Sequence, residues 1–229
     1  MPEQTAQIPE ITGLTYINRL QLASSSRLQA IESHFGSRAV SLSSLMGPMG
    51  EGPQWPSGAS WLAIQHNGNP CIVSDGLSDP YVERNKPENG LGLEVYIEAA
   101  DLTIPDPSNL ESLANRWLFP MIAEISHTLA QYPRLCEKLL NDEPLALTFN
   151  IEHIKDGRGL VGALLHNPIE KAQLSTNNGG FKLIAATLLT TEELTFLKGK
   201  KETGRKALFE KLKESNILGL TLSARNSVI

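Results

Sequence analysis

The feature that most constrains this chain is a strict two-residue alternation, seen in two separate eight-residue stretches. In 91–98, Leu91, Leu93, Val95 and Ile97 point one way, while Gly92, Glu94, Tyr96 and Glu98 point the other. In 145–152, Leu145, Leu147, Phe149 and Ile151 oppose Ala146, Thr148, Asn150 and Glu152. Side chains alternate between faces only in an extended strand, so both stretches predict a sheet with one covered and one wetter face. Residues 160–165 and 181–188 are more continuously apolar and predict inner strands. Asn67-Gly68 separates two further strands, Trp61–His66 and Pro70–Asp75. Both residues of that pair tolerate positive φ, as a tight hairpin turn requires. Pro70 has no N–H, which places the second strand's start at or near an edge.

Helices are interleaved with these strands. Ser24-Ser25-Ser26 offers N-caps for a helix over about 27–35, with Leu28 and Ile31 inside and Gly36 past its end. Ser108 with Glu111 reads as a capping box ahead of an apolar stripe from Leu110 to Leu129. Pro120 interrupts that stripe in phase, which predicts one kinked helix or two stacked helices sharing an inward face. Thr190 with Glu193 forms a second capping box, Leu189 and Leu194 are placed as a staple, and Gly199 ends the helix. A last helix runs from about 202 to 215 and buries Leu208, Phe209 and Leu212. The sum is an α+β fold, a mixed or antiparallel sheet with helices packed on one face. Seven of the fourteen residues in 47–60 are Gly or Pro, which marks the one candidate boundary. It divides a lead-in, 1–59, from an α+β domain over 60–229, together one globular unit.

The chemistry-bearing patterns are sparse. Two cysteines, Cys71 and Cys136, read as buried reduced thiols. His34, His66, His127, His153 and His166 show no metal-ligand spacing. No G-x-S-x-G elbow is present, and Gly90-Leu91-Gly92 opens a strand instead of joining a strand to a helix. No cofactor is implied. A net charge of −5 argues against sequence-independent nucleic-acid binding. The basic segment 198–213 reads as a solvated helix face, with Glu202 and Lys206 at pairing distance. No apolar run is long enough to span a membrane and no secretory leader is evident, so a cytoplasmic protein is expected. Asp75 and Asp79 admit three readings: turn closure through their own backbone, calcium chelation, or an acid/base pair completed by His66 in a hydrolase or transferase.

Ser74-Asp75-Gly76-Leu77-Ser78-Asp79-Pro80 followed by Gly90-Leu91-Gly92-Leu93-Glu94-Val95-Tyr96 resembles the signature of the suppressor-of-fused domain. Gly76, Ser78, Asp79, Gly92, Glu94, Val95 and Tyr96 carry the resemblance. The later helix at Trp117, the segment Leu188–Leu194 and the tail Arg225-Asn226-Ser227-Val228 follow in the same order. The similarity spans roughly 60–229, and Pro120 departs from the usual pattern. The resemblance implies a non-enzymatic protein-binding module of the bacterial single-domain type, members of which are proposed to be immunity proteins that neutralise a cognate toxin. It offers no catalytic residues. The expected partner is another protein, contacted through Asp75, Gly76, Ser78, Asp79, Tyr81 and Glu94.

Overall fold

A computed structural model describes residues 14–42, 55–104, 109–151, 160–168 and 173–229. The stretch 43–54, Ser108, Glu152 and His153 lie outside the described residues. The elements run α1 (Tyr16–Phe35), β1 (Val40–Leu42), β2 (Trp61–His66), β3 (Asn69–Ser74), β4 (Leu93–Glu98), a 3-10 helix (Leu110–Asn115) and α2 (Leu118–Gln131). They continue with α3 (Pro133–Leu140), β5 (Leu145–Phe149), β6 (Val161–His166), β7 (Gln173–Thr176), β8 (Gly179–Leu189), α4 (Thr191–Leu197) and α5 (Lys201–Glu214). The strands form one mixed sheet ordered β1-β2-β3-β4-β8-β6-β5, with β7 also paired to β8. The β4–β8 pairing is parallel and the other strand pairings are antiparallel.

The expected hairpin is present. Asn67 and Gly68 take φ of 51° and 85°, and Trp61 pairs with Ser74 at its far end. Both continuously apolar segments lie inside the sheet, as β6 and β8. Thr190 and Glu193 make their reciprocal capping box, and α5 buries Leu208 and Leu212. The apolar run around Pro120 resolves into two helices. The 3-10 helix is capped by Asn109, and Pro120 falls in the first turn of α2, where its missing N–H breaks no intrahelical bond. Leu110, Leu113, Leu118, Met121 and Ile122 share one core, so the common inward face is kept.

Helices cover both faces of the sheet, not one. On the first face Ile72, Leu93, Val95, Ile97 and Ile184 share a core with the 3-10 helix, α2 and α3 through Leu113, Met121, Ile125, Leu129 and Leu139. On the second, Ile31 and Phe35 of α1 pack on Leu62, Ile64, Val73, Tyr96 and Leu183. Further along that face, Leu208 and Leu212 of α5 cover Leu164 and Leu189. Every residue of β4 is therefore buried, Glu94, Tyr96 and Glu98 included. The alternation in 91–98 is real, but its polar side is a second interior.

The largest difference from expectation is α1, which begins at Tyr16 instead of near residue 27. Thr15 caps it by accepting from the Asn18 N–H at 3.3 Å. Its buried stripe is Arg19, Ala23, Arg27, Ile31 and Phe35, one residue every fourth position. Two arginines in a buried stripe need partners, because an unpaired buried charge costs several kcal/mol. Those partners lie in the segment between β3 and β4.

Candidate functional site

The β3–β4 connection places three carboxylates around Arg27. The Arg27 Nε–H donates to Asp75 Oδ1 at 2.7 Å and lies 3.6 Å from Glu94 Oε1, while Nη1 donates to Asp79 Oδ1. The other Asp79 oxygen accepts from the Ser57 hydroxyl. Glu94 is fully buried and accepts four hydrogen bonds. They come from the hydroxyls of Ser74 (2.5 Å) and Ser78 (2.7 Å) and from the backbone N–H groups of Gly76 (3.1 Å) and Ser78 (2.9 Å). One turn pair further up α1, Arg19 grips both oxygens of Glu88 at 2.6 and 2.7 Å and donates to the carbonyls of Tyr81 and Val82 at 3.3 Å. The segment is also tied from the β7–β8 turn, where the Asn178 amide donates to the carbonyls of Ser78 and Glu88.

Charge in this cluster is unbalanced. Three ionised carboxylates around one guanidinium would leave an excess of two negative charges out of water. Burial pushes the Glu94 carboxyl up to about 7, against the opposing pull of Arg27 and the hydrogen bonds from Ser74 and Ser78. The three surrounding carboxylates raise the Arg27 guanidinium above its ordinary value despite burial, so it stays charged.

Of the six residues expected to contact a partner, Ser78, Asp79 and Glu94 are buried and Gly76 is enclosed. These four hold the segment's shape, while Asp75 and Tyr81 reach the surface in part. Gly76 sits at φ 141°, and a Cβ there would come 2.6 Å from the Gly58 carbonyl oxygen. Only glycine fits this close approach between two backbones. Gly76→Ala is expected to cost about 2–3 kcal/mol in a urea unfolding titration. A loss below about 0.5 kcal/mol would mean that the two segments part easily.

The acid/base constellation of Asp75, Asp79 and His66 is not assembled. Asp75 follows Ser74, which pairs with Trp61, whereas His66 lies at the turn end of the same hairpin. Five residues of strand separate them, about 16 Å. His66 instead meets Glu98 through Nδ1 at 2.8 Å and stacks edge-on to Phe35. The aspartates also do not close turns through their own side chains. Both are spent on Arg27, which reading the sequence missed. No group of three or more His, Cys, Asp or Glu among the described residues is placed to hold a metal ion. Cys71 and Cys136 are free, buried thiols, and burial raises both above the ordinary thiol value.

Two more sequence features find physical roles. Glu193, fully buried, closes the capping box and also takes a two-pronged ion pair from Arg225, both contacts 2.6 Å. Arg225 also donates to the Leu188 carbonyl at 2.9 Å, and the Val228 N–H to Glu193 at 3.1 Å. The tail is thus fastened to the start of α4. In the basic segment, Lys206 pairs with Glu202 at 2.6 Å on the exposed side of α5, as its spacing predicts.

The class these features define is an α+β module in which the densest polar cluster fixes a loop's shape. Among solved structures, the chain is similar to "the Sufu-Fu complex crystal structure", with a TM-score of 0.54 and 12% identity over 90% of this chain and 92% of that one. It is also similar to the crystal structure of Drosophila Suppressor of Fused, with a TM-score of 0.54 and 11% identity over 90% of this chain and 51% of that one. The fold is therefore Suppressor-of-Fused-like, as the two loop-and-strand motifs implied. A 90% share is more than residues 60–229 alone could supply, so the likeness reaches into 1–59. No protein-family model and no curated protein sequence matches the chain.

Proposed function

We propose that this chain is a non-enzymatic protein-binding module that presents the β3–β4 connection to its partner. The observation that carries the reading is the way α1 holds that connection. Arg19 and Arg27 pair with its inward carboxylates and fix the shape of its outer surface. On that surface Val82 is 61% exposed, with Glu83, Arg84, Lys86 and the partly exposed Glu88 next to it in the chain. An exposed apolar side chain set among charges of both signs suits a partner whose contact patch is apolar at its centre and polar, with charges of both signs, at its rim. The likeness to a structure described as a complex, Sufu with Fu, favours a protein partner. No described helix is long and apolar enough to cross a membrane.

Within this reading the partner is a toxin and the chain its cytoplasmic immunity protein. Affinity capture from extracts of the cell that makes this chain should retain one protein in stoichiometric amount at low salt, and less at moderate salt. Recovery of no protein at either salt would contradict binding altogether. The captured partner, expressed alone, should arrest growth, and co-expression of this chain should restore it. A partner harmless by itself would remove the immunity reading and leave the binding one.

A further inference from the structure

The segment from Trp55 to Ser60 lies across the Arg27 cluster. Its Ser57 hydroxyl donates to Asp79, its Ser60 carbonyl accepts from the Asp75 N–H at 2.9 Å, and its Gly58 carbonyl lies against Gly76. With Leu20, Ser24, Arg27, Asp75 and Asp79, the segment borders an open depression in the surface. Its first residue, Trp55, is the anchor. The buried indole stacks edge-on to Trp61 at 5.6 Å, and its N–H donates to His127 Nδ1 of α2 at 3.0 Å.

An indole nitrogen can only donate, so His127 must accept with a bare Nδ1 and carry its proton on Nε2. A protonated imidazole carries hydrogen on both nitrogens and would set two donors face to face. The geometry points to segment 55–60 as a proton-operated latch: neutral His127 holds Trp55 down over the Asp79 side of the cluster, and protonated His127 releases it. The groups facing His127 are Trp55 from the segment, Trp61 from β2, its ring 5.6 Å away, and Glu124, one turn earlier on the same helix. Burial lowers the His127 pKa and outweighs Glu124, which pulls the other way. The latch therefore stays closed at neutral pH and opens as pH falls through and below the ordinary imidazole range. The neighbouring Trp61 indole N–H donates to the Ser126 hydroxyl at 3.1 Å, a bond that His127 protonation leaves in place.

The test follows the indole N–H resonances of the full chain by NMR between pH 7.5 and 5, with Trp55 assigned through Trp55→Phe. The Trp55 indole signal should move with the His127 ring titration. The Asp75 amide, which reports the bond to Ser60, should lose about tenfold in protection, measured against its intrinsic exchange rate at each pH, once His127 is charged, the factor that one net hydrogen bond represents. The Trp61 indole N–H should keep its hydrogen bond to Ser126, read as undiminished protection of that proton from solvent exchange. In His127→Gln, whose amide oxygen accepts at every pH, the Trp55 signal and Asp75 exchange should lose this dependence. His127 titrating with no response at Trp55 or Asp75 would overturn the latch. So would an unchanged response in His127→Gln, or loss of exchange protection at the Trp61 indole N–H together with that of Trp55.

Discussion

Replacing Arg27 with methionine is expected to remove about 3–5 kcal/mol of stability, a large share of what holds any domain of this size together. Methionine fills most of the space but strands Asp75 and Asp79 beside Glu94 without their cation. Asp79 and Glu94 are almost wholly out of water, so solvent cannot take over the arginine's part. Adding Asp79→Asn to Arg27→Met should recover part of the loss, because one of the two orphaned charges is then gone and the amide can still accept from Ser57. Chemical unfolding at pH 7 measures both variants. An Arg27→Met loss under about 1 kcal/mol, or full additivity in the double variant, would mean that the cluster is open to water and α1 is held by Arg19, Ile31 and Phe35 without it.

The second large effect is a pH dependence that belongs to Glu94. Its carboxyl ordinarily titrates at 4.5 and is pushed up to about 7 by burial in the fold. The folded state thus holds this proton more tightly than the unfolded chain does. Stability from this group is fully present below pH 4.5 and is lost as pH rises through about 7. The total is about 3 kcal/mol, at about 1.4 kcal/mol for each tenfold change in proton affinity. Glu94→Gln keeps an oxygen for Gly76 and Ser78 and cannot ionise. The variant's stability relative to the parent should therefore rise by about 3 kcal/mol between pH 4.5 and 8. Taking the difference cancels His127 and the other groups common to both chains. A difference that is flat with pH would show that Glu94 is ionised throughout and fully compensated by Arg27.

Much of the fold was legible because its signals are local. Asn67-Gly68 fixes a turn by backbone sterics, Thr190 and Glu193 satisfy each other's backbone groups across three residues, and continuous apolar runs at β6 and β8 go inside. The start of α1 was not legible, because two of its five buried positions are arginines, and a polar run from Ser24 to Arg27 reads as surface. Burial of Arg19 and Arg27 makes sense only once Asp75, Asp79, Glu88 and Glu94 are brought up from some fifty to seventy residues away. One signal was present: Arg19, Ala23, Arg27, Ile31 and Phe35 fall on one helical stripe behind Thr15. The same missing helix explains why Glu94 and Tyr96 were placed on a wetter face. Asp75, Gly76, Ser78, Asp79 and Glu94 lie together because the start of the β3–β4 connection folds back onto the first residues of β4. Their burial depends on Arg27 and Ser57 and could not be read from that segment alone. His66 was joined to them because both flank one hairpin, yet the hairpin's length holds them apart.

If α1 and the β3–β4 connection form one preassembled binding face, hydrogen exchange on the chain, alone and saturated with its captured partner, reports it most directly. The account predicts slowed exchange concentrated in residues 81–86 and the first half of α1, with the far edge at β5 and α5 unchanged. Protection that spares those residues and falls on β5, α4 or α5 would contradict it.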